Sequence, residues 1–193
     1  MNDDDLIRQV RSHNSDATRF MMEKYQNLVW HIILRMVGNE SIAEDLYQEV
    51  FFRIIKNLHK FEGNSKLSTW IGSIAFNVSS DYLRKKKHIR LFEERSSREN
   101  LMKAHFAISP ADSFDRQELK WMVRKIINEL PVSYKLVITM FHLQELSLKE
   151  IAEITSMPEG TIKSYLNRGR KLIREKILEI YPELEQHVNE FIA

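Results

Sequence analysis

Three observations predict an all-α fold of two small helical domains joined by a flexible linker, the second domain containing a helix-turn-helix. Apolar residues recur at three- and four-residue intervals over long stretches, the signature of amphipathic helices. Helix-start signals precede several of those stretches. Only 5 Gly and 4 Pro occur in 193 residues, which leaves little material for the tight turns of a sheet. The divisions fall at residues 1–90, 91–114 and 115–193.

From Asp16 to Val37 the residues Phe20, Met21, Tyr25, Leu28, Val29, Ile32, Ile33 and Met36 give a long helix, stopped by Gly38-Asn39. Ser41 with Glu44 reads as a capping box that opens the next helix, Ile42 to Leu58. There Ala43, Leu46, Tyr47, Val50 and Ile54 form the buried stripe, with Asp45, Gln48, Glu49 and Phe52 on the other side. An exposed ring among acidic and amide groups suits a protein interface with a hot spot. The alternative is a solvated face whose ring folds back under the adjacent loop.

Phe61 to Ser68 forms that loop and leads into a helix with two stripes. Leu67, Ile71, Ile74, Ala75, Val78 and Tyr82 lie on the core stripe, and Trp70, Ser73, Asn77, Asp81 and Arg84 on its neighbour. Arg84, Lys85, Lys86, Lys87 and Arg90 then add positive charge. A ring and an amide followed by cations match the needs of unpaired nucleic acid, stacking at one end and phosphate contact at the other. Equally open at this point is a core tryptophan followed by a solvated, dipole-favoured helix end. Trp70, at the edge between the stripes, is expected to be partly buried.

Between Leu91 and Phe114 the periodicity fades, with Ser96-Ser97 and Ser109-Pro110 as breakers. The second domain opens near Asp115 with an apolar face of Leu119, Met122, Val123, Ile126, Ile127 and Leu130, closed by Pro131. A helix over Val132 to Gln144 follows. Ser147/Glu150 and Ser156/Glu159 read as two more capping boxes, so two short helices meet around Thr155 to Pro158 in a helix-turn-helix. On the last helix Ile162, Leu166, Gly169, Ile173 and Ile177 point inward, with a small inward Ala152 on the helix before it. Lys163, Ser164, Asn167, Arg168, Arg170, Lys171 and Arg174 point outward, which suits a major groove. The alternative is an ordinary basic surface helix. The tail after Leu178, with Leu184, Val188, Phe191 and Ile192 among glutamates, reads as a short amphipathic cap.

Composition narrows the function classes. The chain has no cysteine, which excludes disulfides and thiolate metal sites. No apolar run approaches the roughly 20 residues of a membrane span, and the acidic start MNDDDLIRQV lacks the core of a signal peptide, so a cytoplasmic protein without membrane insertion is expected. Net charge is only +2, so nucleic-acid affinity must come from local clusters, near residues 84–90 and 163–176. The 7 histidines show no i,i+3 or i,i+4 pairing, and Asp45/Glu49 has no histidine nearby in sequence. Neither an enzyme nor a metal or cofactor site is expected.

Several segments, in order, carry a resemblance. They are Ala43 to Phe51 (AEDLYQEVF), Phe61-Glu62-Gly63-Asn64-Ser65 with Ser68-Thr69-Trp70, Ile74-Ala75-Phe76-Asn77 and Asp81 to Lys86. In the second domain they are Leu130-Pro131, Glu150 to Glu153 and Gly160 to Ser164. From about Phe20 to Ile177 the chain resembles the extracytoplasmic-function sigma factors of bacterial RNA polymerase, of the sigma-70 family. The resemblance implies binding to core RNA polymerase, promoter recognition, DNA melting and transcription initiation at a specific regulon. It implies that Asp45, Gln48, Glu49 and Phe52 meet the large-subunit clamp helices, with the polymerase flap as a further contact. Glu62, Gly63, Asn64, Ser65, Lys66, Trp70, Asn77, Arg84, Lys85, Lys86 and Lys87 would serve −10 recognition and melting. Thr161, Lys163, Ser164, Tyr165, Asn167, Arg168, Arg170 and Lys171 would read the −35 element, and an anti-sigma factor would be a partner.

Three positions depart from the family pattern. Tyr165 stands where an arginine is usual, Ser156 where glycine is common, and Trp70 is followed by Ile71, where housekeeping members carry a second tryptophan. With one ring fewer, less stacking is available to hold open DNA. A free-standing helix-turn-helix regulator that binds duplex operator as a dimer is the alternative, and the unpaired-strand chemistry around Trp70 argues against it.

Overall fold

The computed structural model describes residues 2–93 and 116–182, with side chains over 2–86 and 122–182. Within these residues the chain is helical, with no strand. Helix α1 (Asp3–Arg11) was not expected from the sequence, where its first residues read only as an acidic start. Asn2 caps it by accepting from the Asp5 N–H at 2.8 Å, acidic residues fill its first turn, and Leu6, Ile7 and Val10 are buried. Helix α2 (Ser15–Val37) starts at an Asn14 cap and ends at Gly38, whose φ of 67° is the left-handed stop that glycine adopts without strain.

The start of α3 (Glu40–Asn57) corrects the capping box expected at Ser41 and Glu44. Asn39 is the cap and accepts from the Ile42 N–H at 3.0 Å, so Ser41 already lies inside the first turn. A short 3₁₀ turn (Leu58–Lys60) follows, then the loop and α4 (Leu67–Glu93). Leu67, Ile71, Ala75 and Val78 of the expected stripe are buried, whereas Ile74 and Tyr82 are half-buried.

The second domain comprises α5 (Arg116–Glu129), α6 (Val132–His142), α7 (Leu148–Thr155) and α8 (Glu159–Ile180). Ser147 and Glu150 form the expected capping box at α7, with reciprocal hydrogen bonds of 3.2 and 2.8 Å. The box expected at Ser156 and Glu159 does not form. Ser156 has φ 56° and ends α7 in the left-handed conformation, while Pro158 precedes α8 and caps nothing through its side chain. All five inward positions of α8 are buried, but Ala152 is only half-buried. At Gly169 an added Cβ would lie 3.0 Å from Ile138 Cγ1, so the glycine permits the close approach of α8 to α6. Helix α4 runs three residues past the expected boundary at 90, and the rest of the 91–114 segment lies outside the described residues, as does the tail from 183.

The two domains also pack on each other, along α4 against α7 and α2 against α6. Gly72 of α4 is buried there. A Cβ at this position would meet Ile154 Cδ1 at 2.8 Å and Ile32 Cδ1 at 3.5 Å. Arg35 donates across the seam to Thr139 Oγ1 at 3.1 Å and to Asn128 Oδ1. At one end, Lys66 Nζ lies 2.8 Å from Glu150 Oε1. The Lys66 ammonium and the Ser147 hydroxyl together hold the Glu150 carboxyl at about 2, below its ordinary 4.5. Basic groups oppose the seam. Burial, then the neighbouring Arg124, lowers the pKa of Arg35; burial, then Arg35, lowers that of Lys135; burial, then Arg35 and Arg124, lowers that of His31.

Three outcomes test this architecture. Ser156→Gly is expected to raise stability by about 1 kcal/mol in denaturant unfolding, since glycine relieves the left-handed strain. Gly72→Leu forces a branched side chain against Ile154, so small-angle scattering should give a larger radius of gyration; an unchanged profile contradicts the seam. Because the folded pKa of Glu150 lies below its unfolded value, its contribution is complete above about pH 4.5 and lost as pH falls toward 2. Glu150→Gln should therefore flatten the pH dependence of unfolding in that window.

Candidate nucleic-acid interface

The outer face of α3 presents Asp45 and Gln48 to solvent, with Glu49 half-exposed and 2.6 Å from Arg53 Nε. Phe52 is 61% exposed, so its ring is not folded back under the loop. One turn on, Ile55 is 42% exposed and Lys56 Nζ lies 5.7 Å from the Phe52 ring centre. Ile55 was missed in the sequence, although its i+3 spacing from Phe52 on the polar face is the signal that could have found it. Beneath this face, Tyr47 packs on Phe51 of the same helix at 4.8 Å and edge-on against Trp30 of α2 at 6.2 Å.

In the loop, Glu62, Gly63, Asn64 and Lys66 are exposed and Ser65 half-exposed. Gly63 has φ 79°, and Asn64 Nδ2 donates to Glu62 Oε2 at 3.0 Å. Lys66 is engaged by Glu150 of the other domain, a pairing that sequence spacing could not reveal. Trp70 is half-buried as expected, its ring centre 5.4 Å from that of Phe61.

A cleft of about 280 Å³ between α3 and α4 joins Trp70, Ile74 and Asn77 to Arg53, Asn57 and Lys60. The last three were also missed. They lie on the C-terminal part of α3 and the 3₁₀ turn, and only the crossing of α3 and α4 brings them beside Trp70. The cleft combines an aromatic edge, two amides and two cations, groups that can stack, hydrogen-bond and neutralise phosphate. Farther along α4, Arg84 pairs with Asp81 at 2.5 Å and Lys85 and Lys86 are exposed, while the Lys87 side chain lies outside those described.

On α8, Lys163, Asn167, Arg168 and Lys171 form one exposed face, bordered by half-exposed Thr161 and Ser164. Two residues expected on that face turn to its side. Tyr165 packs its ring 5.4 Å from Tyr134, and Arg170 donates to His142 Nε2 at 3.3 Å and lies over the Phe141 ring. Burial, then the adjacent Arg170, lowers the His142 pKa. Among the described residues no group of three or more His, Cys, Asp or Glu is placed to hold a metal ion. No described helix is long and apolar enough to cross a membrane.

Comparison with known proteins identifies the family of the chain. Residues 21–89 match the family model of Sigma-70 region 2, and residues 120–173 match that of Sigma-70, region 4. The ECF RNA polymerase sigma factor SigW of Bacillus subtilis is 35% identical over 179 residues, covering 90% of this chain and 96% of that one. The ECF RNA polymerase sigma-E factor of Haemophilus influenzae is 30% identical over 182 residues, covering 92% and 96%. The fold is also that of the sigma factor RpoE of Bartonella quintana, solved with the anti-sigma factor NepR, at a TM-score of 0.60 and 22% identity over 81% of this chain and 96% of that one. With both regions present in order, and relatives matched over nearly their full length, the chain belongs to the extracytoplasmic-function sigma factors of the sigma-70 family, which direct transcription initiation by bacterial RNA polymerase.

Proposed function

We propose that residues 1–90 dock on core RNA polymerase and capture the unpaired −10 strand, that residues 115–193 read the −35 duplex, and that residues 91–114 connect the two. Polymerase docking uses Asp45, Gln48, Glu49 and Phe52, with Ile55 extending the apolar patch. The acidic groups suit a basic surface on the clamp helices, and the exposed ring supplies the hot spot. The loop from Glu62 to Lys66 receives an extruded base, with Trp70 and Asn77 beside it.

Extrusion costs a few kcal/mol. Stacking contributes roughly 1–3 kcal/mol per base, and phosphate contacts from Arg84, Lys85, Lys86 and Lys87 add to it. Arg53 and Lys60 extend the same cationic track to the cleft. The observation that carries this reading is the cleft itself, where a half-exposed tryptophan meets an amide and two cations. On α8, Lys163, Asn167, Arg168 and Lys171 face the major groove, and Thr161 and Ser164 border them. Tyr165 and Arg170 flank that face, where phosphate contact is within their reach. Two weak modules on one chain gain affinity through effective concentration. The chain acts in the cytoplasm, as an initiation factor without catalytic groups of its own, and is held by an anti-sigma factor, a partner present in the Bartonella structure.

The test is reconstitution with core polymerase lacking any sigma factor, on a library of promoter templates. Specific initiation is the expected result; operator binding without initiation would support the free-standing regulator instead. Within that assay Phe52→Ala should weaken core binding by about thirtyfold, the loss of a roughly 2 kcal/mol hot spot. Lys163→Ala with Arg168→Ala should lower −35 duplex affinity and its salt dependence while core binding stays unchanged.

A further inference from the structure

Helix α1 lies outside the segment matched by the region 2 family model, which begins at residue 21. Its last residue reaches into the capture loop. Arg11 Nη2 donates to the carbonyls of Leu58 at 3.0 Å, His59 at 3.5 Å and Phe61 at 2.6 Å, and Nε donates to Leu58 at 3.3 Å. The Leu58 carbonyl opens the 3₁₀ turn and also accepts from the Phe61 N–H at 3.1 Å, while those of His59 and Phe61 lie at and just past its end, where backbone carbonyls carry partial negative charge. A guanidinium, with a rigid fork of donors, satisfies several at once.

The rest of the loop has few other ties. Among the described residues its internal side-chain hydrogen bonds are Asn64 to Glu62 at 3.0 Å and Ser65 Oγ to the Lys66 carbonyl at 3.4 Å. Gly63, at φ 79°, adds conformational freedom rather than restraint. Beyond Arg11, the loop is tied to other elements by the Phe61 ring against Trp70 and by the ion pair of Lys66 with Glu150 at the far end.

Helix α1 is itself fixed. Asp3 accepts from Tyr25 Oη at 3.0 Å and from Lys24 Nζ at 2.6 Å, and burial of Leu6, Ile7 and Val10 seats the helix on the core. A cavity of about 320 Å³ separates α1 from the loop and is lined by Asp4, Ile7, Arg8, Arg11, Phe61, Glu62 and Gly63. Arg11 spans it at the loop's start. From Arg11 the restraint passes to the Phe61 backbone, and through the Phe61 ring to Trp70, 5.4 Å away.

We propose that Arg11 is a positioning residue for strand capture: by fixing the carbonyls of Leu58 to Phe61 it holds the loop and the Phe61–Trp70 ring pair in the shape that receives an unpaired base. This rests on the assignment of the loop to the −10 strand. A preorganised loop loses less conformational freedom on binding, so its release lowers affinity and blurs the choice of base.

The test uses holoenzyme reconstituted from the full chain and core polymerase. Probes are the non-template strand of a promoter selected with the wild-type chain, and three copies altered at the most strongly selected −10 base. Arg11→Met keeps the aliphatic stem and removes the donors. It should weaken binding of the selected strand about tenfold and shrink its preference over the altered strands, with core affinity and −35 duplex affinity within about twofold of wild type. Arg11→Lys, which can satisfy part of the carbonyl set, should recover part of the base preference. Wild-type discrimination in Arg11→Met overturns the proposal. So does an equal loss of core binding, duplex binding and melting temperature, with discrimination intact in Arg11→Lys, since that is general destabilisation. Failure of the wild-type holoenzyme to select any promoter would instead remove the functional assignment on which the proposal rests.

Discussion

The structure depends on the burial of α2. Met21, Val29, Ile32 and Ile33 are at most 1% exposed, and the helix is covered by α3 and α4 on some sides and by α6 on another. From Leu28 to Val37 the helix has no exposed residue, so it is enclosed on most sides there, and α1, α3 and α4 leave part of it open. The second domain closes that part. Its contact is held by shape at Gly72 and by Arg35 and Lys66, yet Arg35, Arg124 and Lys135 bring like charges to the same region. Apolar contact, hydrogen bonding and the Lys66–Glu150 ion pair thus hold the seam against the like charges of Arg35, Arg124 and Lys135.

Each candidate surface is built on a helix whose opposite face packs into the core. Phe52 stands on α3 above Val50, Phe51 and Ile54; Asn77 stands on α4 above Ala75 and Val78; Lys163 and Asn167 stand on α8 above Ile162 and Leu166. Burial on one side fixes the direction of the other, so charged and aromatic groups are presented without large rearrangement. The loop from Phe61 to Lys66 is the exception, since it is tied at one end by Arg11 of α1 and at the other by Glu150 of α7.

Features with a local cause were legible in the sequence. Gly38 as a stop, the Ser147–Glu150 box and the inward stripe of α8 each depend on residues within one or two turns. The partial burial of Trp70 followed from its place between two stripes. Helix α1 escaped notice because its nine residues carry only three buried apolar side chains behind an acidic cap. Asn39 and Ser156 were misread because several residues nearby can cap, and the choice is made by backbone conformation rather than by residue type. The cleft residues Arg53, Asn57 and Lys60, the clamp from Arg11 and the pair Lys66–Glu150 join positions far apart in the chain. No periodicity reports such pairs.

The seam between α4 and α7 limits what the packed chain can touch. Elements centred at −10 and −35 lie about 25 base pairs apart, or roughly 85 Å of B-form duplex at 3.4 Å per pair. Helix α4, with 27 residues, is only about 40 Å long, and α7 lies against it. The 22 residues from 94 to 115 have a contour of roughly 75 Å, long enough to let the two domains separate widely. On the proposed assignment of the two domains, simultaneous contact with both elements requires Gly72 to leave Ile154, and Lys66 to exchange a carboxylate for solvent or a phosphate oxygen. On that assignment the packed arrangement competes with DNA for the same chain. The affinity of the free chain for a two-element site is its intrinsic affinity scaled by the fraction of molecules in which the seam is broken.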